Sequence, residues 1–305
     1  MLDRTTLLAV VVVSGCAVLA APAGARNLRE CQSLQQRYSE IKSAASSVER
    51  NSLLFSASKH GCDDLAKMLL DDGASLEARD ALGNMPLAKA TQNGHLNLVQ
   101  LFLERKAPVN ARNLEASTAL FLAAEEERRA VAELLLAGGA DPNIPGRAGI
   151  TPIGAAAYSG NTELVQLLLD KGADPRIADA TGKTALIYAA GRGFTPVVAL
   201  LIKHGVDPNA AGDHALTPLM WAAGHTDEAG AADVKDTIEL LVARGALLDL
   251  KDDRGMTALM IASQLGHGTA VETLVKLGAE SGDGAGVSSA TRPNSEAAGA
   301  PAAPN

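Results

Sequence analysis

The chain repeats itself at a fixed interval of 33 residues. Six similar lines follow one another at this spacing, beginning at Ser52, Met85, Thr118, Thr151, Thr184 and Thr217. A seventh begins at Thr257, 40 residues after the sixth. Periods of about 20–50 residues are typical of repeat architectures, in which each period is one supersecondary unit. Such a unit cannot bury its apolar face alone, so the periodicity predicts a stacked array whose stability comes from neighbouring repeats.

Each line has the composition of two short helices joined by a turn. In the fourth line, Thr151 can cap the first helix with its hydroxyl, and Pro152 suits the first helical position, where no N–H is needed. The small pair Ala156-Ala157 lets neighbouring first helices approach closely. Gly172 favours the left-handed conformation that ends a helix. The second helix carries an apolar stripe at helical spacing, formed by Leu164, Val165, Leu168 and Leu169.

The line from Thr151 to Pro175 reads T-P-I-G-A-A-A-Y-S-G-N-T-E-L-V-Q-L-L-L-D-K-G-A-D-P and resembles the ankyrin repeat. The resemblance implies an all-α repeat solenoid of helix-turn-helix units with projecting β-hairpin loops. The chain departs from the family pattern T-P-L-H at its histidine, which all seven lines lack; they carry Phe55, Ala88, Phe121, Gly154, Ile187, Met220 and Met260. Lys106 and Glu127 replace two expected glycines, and we expect looser turns there.

The first 25 residues have the layout of a secretory signal peptide. Arg4 precedes an apolar run at 7–21, and Ala23-Gly24-Ala25 forms an A-x-A site, so we expect cleavage before Arg26. The run is shorter than the roughly 20 residues that span a membrane. The segment at 13–16, V-S-G-C, leaves open a lipoprotein anchored through Cys16. Export to a bacterial periplasm is expected in either case, and membrane attachment only if Cys16 is lipidated.

The repeats occupy 52–280, and the flanking segments differ from them in composition. Residues 26–51 are predicted to form a capping helix, with an apolar face at Leu28, Cys31, Leu34, Tyr38 and Ile41. An insertion of about seven residues falls within 224–233, between the two helices of the sixth repeat. Such insertions map to loops, which often lie on the binding face. Residues 281–305 are rich in Gly, Ala, Ser and Pro and are predicted to be disordered.

The composition argues against several function classes. A net charge of −8 without a long basic run does not fit a nucleic-acid-binding protein. Nucleophile, phosphate-loop and zinc-binding motifs are not found in the sequence, so no cofactor, metal or small-molecule substrate is expected. One mixed group, of His214, His225, Asp213, Asp227 and Glu228, has a spacing that matches no metal motif. His95 and His267 occupy the Gly-His position of the repeat and are predicted to be structural. An enzyme would require a convergent polar pocket, whereas a binding module would not.

The candidate binding residues are aromatic and basic. Only eight aromatic residues occur in the chain, yet Tyr188 and Trp221 share one repeat position in adjacent lines. Tyr158 lies in the line before them, and Arg192 follows Tyr188 by one turn. Tyr, Trp and Arg are enriched among residues that dominate binding energy. With His225 from the insertion, they form the predicted site for an unidentified partner protein. Packing within a half-buried helix position is the alternative role for Tyr188 and Trp221.

The resemblance implies binding through the concave face of hairpin tips and first helices. Two alternatives stay within the binding class: a membrane-tethered lipoprotein scaffold, if Cys16 is lipidated, and a periplasmic protective factor related to oxidative stress, which the resemblance implies. Removal of Cys16 with the signal would leave two cysteines in an oxidising compartment. A capping helix parallel to the second helix of the first repeat would place Cys31 and Cys62 at one end of the array. We therefore predict a Cys31–Cys62 disulfide, with two separate buried thiols as the alternative.

Overall fold

The computed structural model describes residues 23–224 and 230–280. These residues form two compact units, divided between Pro108 and Val109, after the second of the predicted repeats. The helices of the first unit are α1 (Ala23–Ile41), α2 (Ser47–His60), α3 (Asp63–Asp71), α4 (Pro86–Gln92) and α5 (Leu96–Glu104). Those of the second unit are α6 (Ala119–Glu125), α7 (Arg129–Ala137), α8 (Pro152–Ser159), α9 (Thr162–Asp170), α10 (Ala185–Gly191), α11 (Thr195–Lys203), α12 (Pro218–Gly224), α13 (Ala231–Ala243), α14 (Ala258–Leu265) and α15 (Gly268–Lys276).

The predicted all-α helix-turn-helix fold is confirmed. In the second unit the first helices of successive repeats, α6, α8, α10, α12 and α14, pack side by side, and the second helices form a neighbouring layer. The loop that precedes each first helix, called here the hairpin loop, contains a turn closed by backbone hydrogen bonds. In the fifth repeat, for example, the N–H of Asp179 donates to the carbonyl of Lys183 at 2.9 Å. Because the described residues contain no strand, the expected β-hairpin is reduced to this turn.

The first helices begin as their sequence predicts. The hydroxyls of the leading threonines accept hydrogen bonds from the N–H three residues later, at 3.2 to 3.4 Å; these are Thr151, Thr184, Thr217 and Thr257. The paired alanines of the first helices are buried, as are Leu164, Val165 and Leu168 of the second-helix stripe. Leu167 is also buried, whereas Leu169 is only half-buried.

Two turns that lack the expected glycine keep their shape. Lys106 and Glu127 have φ of 61° and 53°, in the left-handed region that their glycine counterparts also occupy. Each still donates its N–H to the preceding helix, Lys106 to Leu103 at 2.9 Å and Glu127 to Ala124 at 3.2 Å. The expectation of looser turns is therefore wrong, because the helix-ending hydrogen bonds hold these residues in a conformation that L-residues rarely adopt.

The capping segment is shorter than predicted. A helix was expected over residues 26–51, but α1 ends at Ile41 and α2 begins at Ser47. The break comes from a capping box, in which Glu49 N–H donates to the Ser46 hydroxyl at 3.2 Å and Ser46 N–H donates to the Glu49 carboxylate at 2.8 Å. Residues 47–51 therefore belong to the first helix of the first repeat. On α1, Leu28 is 60% exposed rather than packed.

Several predicted segments lie outside the described residues: 1–22 of the signal sequence, including Cys16, the 225–229 part of the insertion, and the 281–305 tail. The helix α1 begins at Ala23, three residues before the predicted cleavage position. No described helix is long and apolar enough to cross a membrane.

Candidate partner-binding surface

Three of the predicted binding residues meet on adjacent first helices of the second unit. Tyr158 lies on α8, Tyr188 on α10, and Arg192 directly after α10. The rings of Tyr158 and Tyr188 are perpendicular, with centroids 5.7 Å apart, the edge-to-face arrangement that aromatic quadrupoles favour. The Arg192 guanidinium carbon lies 4.4 Å from the Tyr158 ring centroid and 5.6 Å from that of Phe194. Arg192 therefore bridges two aromatic side chains by cation–π contacts.

A lysine that sequence reasoning missed joins the fourth predicted residue to this group. The ammonium of Lys183, in the hairpin loop before α10, lies 4.6 Å from the Trp221 ring centroid and 5.9 Å from that of Tyr188. We call Tyr158, Lys183, Tyr188, Arg192 and Trp221 the aromatic–cation cluster. The only sequence signal for Lys183 is its position immediately before the capping Thr184, and that signal does not reveal a contact with the next repeat.

An acidic residue of the hairpin loop holds the Tyr188 ring in place. Tyr188 donates its phenolic O–H to the Asp179 carboxylate, which also accepts the N–H of Thr181 at 2.8 Å and of Lys183 at 2.9 Å. Burial would raise the pKa of Asp179, but hydrogen bonds from Tyr188, Lys183 and Thr181 outweigh it and lower the pKa below its ordinary value. Burial, followed by the contact with the Asp179 carboxylate, raises the pKa of Tyr188. At neutral pH the pair is therefore a phenol bound to a carboxylate.

The cluster is partly open to solvent. The Tyr158 side chain is 50% exposed, and the other four members are half-buried. A tyrosine that served only to fill the core would be buried. A surface tyrosine without fixed neighbours would not pack against Tyr188 and Arg192 as Tyr158 does. The arrangement is thus a supported but accessible aromatic surface, the type that dominates binding energy at protein interfaces. The last predicted binding residue, His225, lies outside the described residues.

The two cysteines lie together in the first unit. The sulfur atoms of Cys31 and Cys62 are 2.05 Å apart and their Cα atoms 5.2 Å apart, so the structure contains a bond between them. Cys31 lies on α1, and Cys62 is the residue that precedes α3. The bond therefore joins the capping helix to the turn between the two helices of the first repeat.

The histidines of the Gly-His position connect consecutive repeats. A ring nitrogen of His95 lies 2.9 Å from the carbonyl oxygen of Lys59, near the end of α2. A ring nitrogen of His267 lies 2.9 Å from the carbonyl oxygen of Ala223, near the end of α12. These contacts support the predicted structural role. Over residues 23–224 and 230–280, no three His, Cys, Asp or Glu side chains are arranged to hold a metal ion.

A cavity between the hairpin loops and α14 in the last two repeats contains a paired acid and base, Asp252 and Arg254. It has a volume of about 490 Å³ and an apolar floor that includes Leu216, Ile261 and Leu265. Its buried Asp252 carboxylate accepts two hydrogen bonds from the Arg254 side chain, at 2.9 and 2.7 Å, and further ones from backbone N–H groups. Burial would raise the pKa of Asp252, but these hydrogen bonds lower it below its ordinary value. The carboxylate is thus a fixed structural acceptor, unsuited to proton transfer near neutral pH.

Comparison with protein families agrees with this architecture. The family model for ankyrin repeats matches three times, over residues 53–145, 153–234 and 216–284. The chain belongs to the ankyrin-repeat family. Ankyrin repeats form protein–protein interaction modules and are typically not enzymes. A comparison of this ankyrin-repeat chain with curated proteins gave no match.

Proposed function

We propose that this ankyrin-repeat chain is an exported module that binds a partner protein through the concave face of its array, centred on the aromatic–cation cluster. The observation that carries the proposal is the half-exposed Tyr158, held between Arg192 and Tyr188 on the first helices of consecutive repeats. Rings fixed in this way lose little conformational freedom on binding, so their contact area contributes more to affinity.

The charges of the cluster favour a particular kind of partner. Lys183 and Arg192 contribute two positive charges and lie against ring faces, while the Asp179 carboxylate is bound by Tyr188. The two cations outnumber the one carboxylate, Asp179, so these groups together are positive on a chain whose net charge is −8. A partner segment that presents apolar or aromatic side chains next to a carboxylate would match both features, since electrostatic complementarity fixes register and excludes other partners.

The binding test removes the largest ring. Trp221→Ala should weaken binding by about 2 kcal/mol, or about 30-fold in Kd, if Trp221 is a hot spot. The partner would be isolated with the exported full-length chain from a periplasmic fraction, identified by mass spectrometry, purified, and titrated against both chains by calorimetry.

The matched control is Leu247→Ala, which removes a 58% exposed apolar side chain of the same unit outside the cluster. It should leave the affinity within about twofold, as expected for a residue outside the centre of an interface. Unchanged affinity of Trp221→Ala together with a lower thermal midpoint would assign Trp221 to packing and refute the proposed surface.

The location of the protein is a separate part of the proposal. The A-x-A site at 23–25 supports cleavage before Arg26 and release into the periplasm. The V-S-G-C segment at 13–16 supports the second candidate, a membrane-tethered scaffold or protective factor. Mass spectrometry of the mature N-terminus decides between them: Arg26 as the first residue supports the soluble protein, and a lipidated Cys16 supports the tethered one.

A further inference from the structure

The Cys31–Cys62 bond borders an open cleft in the first unit. The cleft has a volume of about 400 Å³; Asn27, Leu28 and Cys31 of α1 line one side, and His60, Cys62 and Asp64 line the other. Cys31 is half-buried, whereas Cys62 is 4% exposed. The disulfide is therefore accessible to solvent through Cys31.

The disulfide attaches a part of α1 that has few buried side chains to hold it against the repeats. Among the side chains described on α1, only Tyr38 is fully buried. Tyr38 donates its O–H to Asp72 at 2.7 Å, and Lys42, just past the helix, forms an ion pair with the same carboxylate at 2.7 Å. These contacts fix the C-terminal end of α1. At the N-terminal end, Leu28 is exposed, so the disulfide rather than apolar packing attaches the helix to the first repeat.

The polar anchor is stable across the neutral range. Burial, and then the contact with Asp72, raises the pKa of Tyr38 to about 12. Hydrogen bonds from Lys42 and Tyr38 lower the pKa of Asp72 below its ordinary value. Neither group titrates between pH 5 and pH 9, so this anchor is unchanged over that range, and the disulfide is the second attachment of α1.

We propose that Cys31–Cys62 is a thiol–disulfide exchange site for a protein dithiol, and that reduction releases the N-terminal half of α1 from the first repeat. A thiolate of the dithiol attacks Sγ of Cys31, forming a mixed disulfide while the Cys31–Cys62 bond breaks. The electron pair leaves on Sγ of Cys62, which then takes a proton from solvent. The second thiol of the dithiol attacks its own sulfur in the mixed disulfide and releases Cys31. Two electrons and two protons thus pass to the cysteine pair, and the dithiol becomes a disulfide.

The direction of attack follows from the two cysteine environments. Exchange requires access to the sulfur that is attacked, and Cys31 is the more accessible of the two. Cys62 is the residue at the N-terminus of α3, and no side chain caps that helix. The N–H groups of the helix N-terminus favour a thiolate on Cys62, whereas its burial and the carboxylates of Asp63 and Asp64 oppose it, so the accessibility of Cys31 sets the direction of attack.

Leu28 supplies a contact for the protein that carries the dithiol. It lies one helical turn before Cys31, lines the same cleft and is exposed. A protein whose thiolate reaches Sγ of Cys31 through this cleft must approach the Leu28 side chain, so we expect the two to be in contact. A small dithiol such as dithiothreitol does not need this contact. The rates of reduction by dithiothreitol and by the protein dithiol can therefore be compared on one chain.

The first experiment traps the intermediate on the oxidised, full-length mature chain in native buffer. A thioredoxin-type protein whose second active-site cysteine is replaced by serine should form a mixed disulfide with Cys31, identified by peptide mass spectrometry. Reduction with the intact dithiol should abolish amide hydrogen-exchange protection in the N-terminal half of α1 and retain it in α2–α5. A mixed disulfide on Cys62, reduction only in denaturant, or unchanged protection of α1 would overturn the proposal.

The second experiment tests recognition by rates. Leu28→Ser should slow reduction by the protein dithiol about tenfold, the size expected from loss of one apolar interface contact. Reduction by dithiothreitol should stay within about twofold, because the sulfur environments do not change. Val48→Ser, at an exposed apolar residue of α2 that does not line the cleft, should leave both rates unchanged. Equal slowing with both reductants, or no slowing with either, would refute the role of Leu28.

Discussion

The fifth and sixth repeats place an aromatic residue at the same position but surround it differently. In the fifth repeat, Tyr188 donates to Asp179 of its own hairpin loop. In the sixth, Gly212 occupies the position of that aspartate, and Trp221 instead contacts Lys183 from the loop of the fifth repeat. The Tyr188 hydroxyl is thus bound by the loop of its own repeat, whereas the Trp221 ring is contacted by the loop of the preceding repeat. The comparison shows that residues of the hairpin loops determine which contacts the aromatic side chain at this helix position makes.

The first unit contains a third version of the same arrangement. In the second repeat, Lys89 occupies the position of Tyr188, and its ammonium lies 3.7 Å from the Asp80 carboxylate. Asp80 accepts the same two backbone N–H groups, from Leu82 and Asn84, as Asp179 does in its own loop. In the second and fifth repeats the loop therefore supplies the same fixed carboxylate, and the residue at the helix position, Lys89 or Tyr188, determines whether its partner is an ammonium or a phenol.

The largest expected effect tests the contact between the two loops. Gly182 has φ of 71°, and a Cβ there would lie 2.3 Å from the backbone nitrogen of Asp213 in the next loop. Gly182→Ala should lower the free energy of unfolding by about 3 kcal/mol, from left-handed strain plus a backbone clash. Gly255, at the same repeat position with φ of 76°, faces open space. Gly255→Ala should cost only about 1 kcal/mol. Equal losses in urea unfolding would refute the close approach of the loops.

The tyrosine–aspartate contact gives the next largest effect. Tyr188→Phe should lower the free energy of unfolding by about 1.5 kcal/mol at pH 7, the value of a hydrogen bond to a charged group. Because the folded pKa of Asp179 is lowered, its stabilisation is complete above the ordinary pKa and is lost as the pH falls through the folded value. The difference from the wild type should therefore shrink below about pH 4. Tyr158→Phe removes a hydroxyl of the same cluster that does not bind the Asp179 carboxylate, so its effect on stability should be smaller and should not change with pH.

A stabilising substitution is expected in the sixth loop. Ala215 has φ of 56° at the position where the fifth loop has Gly182. Ala215→Gly should raise the free energy of unfolding by about 1 kcal/mol, because it relieves a left-handed conformation that alanine disfavours. Ala180→Gly in the fifth loop, where φ is not positive, should instead lower it by about 0.5 kcal/mol through chain entropy. Thermal unfolding of both variants checks the opposite signs.

The smallest effect concerns the cation between the two rings. Lys183→Met should lower the free energy of unfolding by about 0.5 kcal/mol, since the cation–π contacts are partly exposed. The chain has one tryptophan, so its fluorescence reports Trp221 alone. The emission maximum should shift in Lys183→Met and remain the same in Lys171→Met, which changes an exposed lysine of the fourth repeat. A shift in both variants would indicate a general charge effect.

Much of the fold follows from residues that are close together in the chain. The threonine caps were predictable because each acts within a few residues, and the 33-residue period and the small residues of the first helices were predictable because they recur from line to line. The start of α2 was predictable in principle from Ser46 and Glu49, but the apolar pattern of the capping segment continues past it and concealed the signal. Tyr158, Tyr188 and Trp221 could be selected from their rarity and repeat position, whereas Lys183 and Asp179 could not.

The sequence by itself determined the repeat, the starts of the first helices that threonine caps, and the positions at which aromatic residues occur. Only the tertiary structure decided which charges those rings contact, that Lys106 and Glu127 keep the turns of the glycines they replace, and that Leu28 remains exposed beside Cys31. The physical reason is that caps and turns depend on hydrogen bonds over three to five residues, whereas the contacts of Lys183 with Trp221 and of Cys31 with Cys62 depend on how neighbouring helices stack.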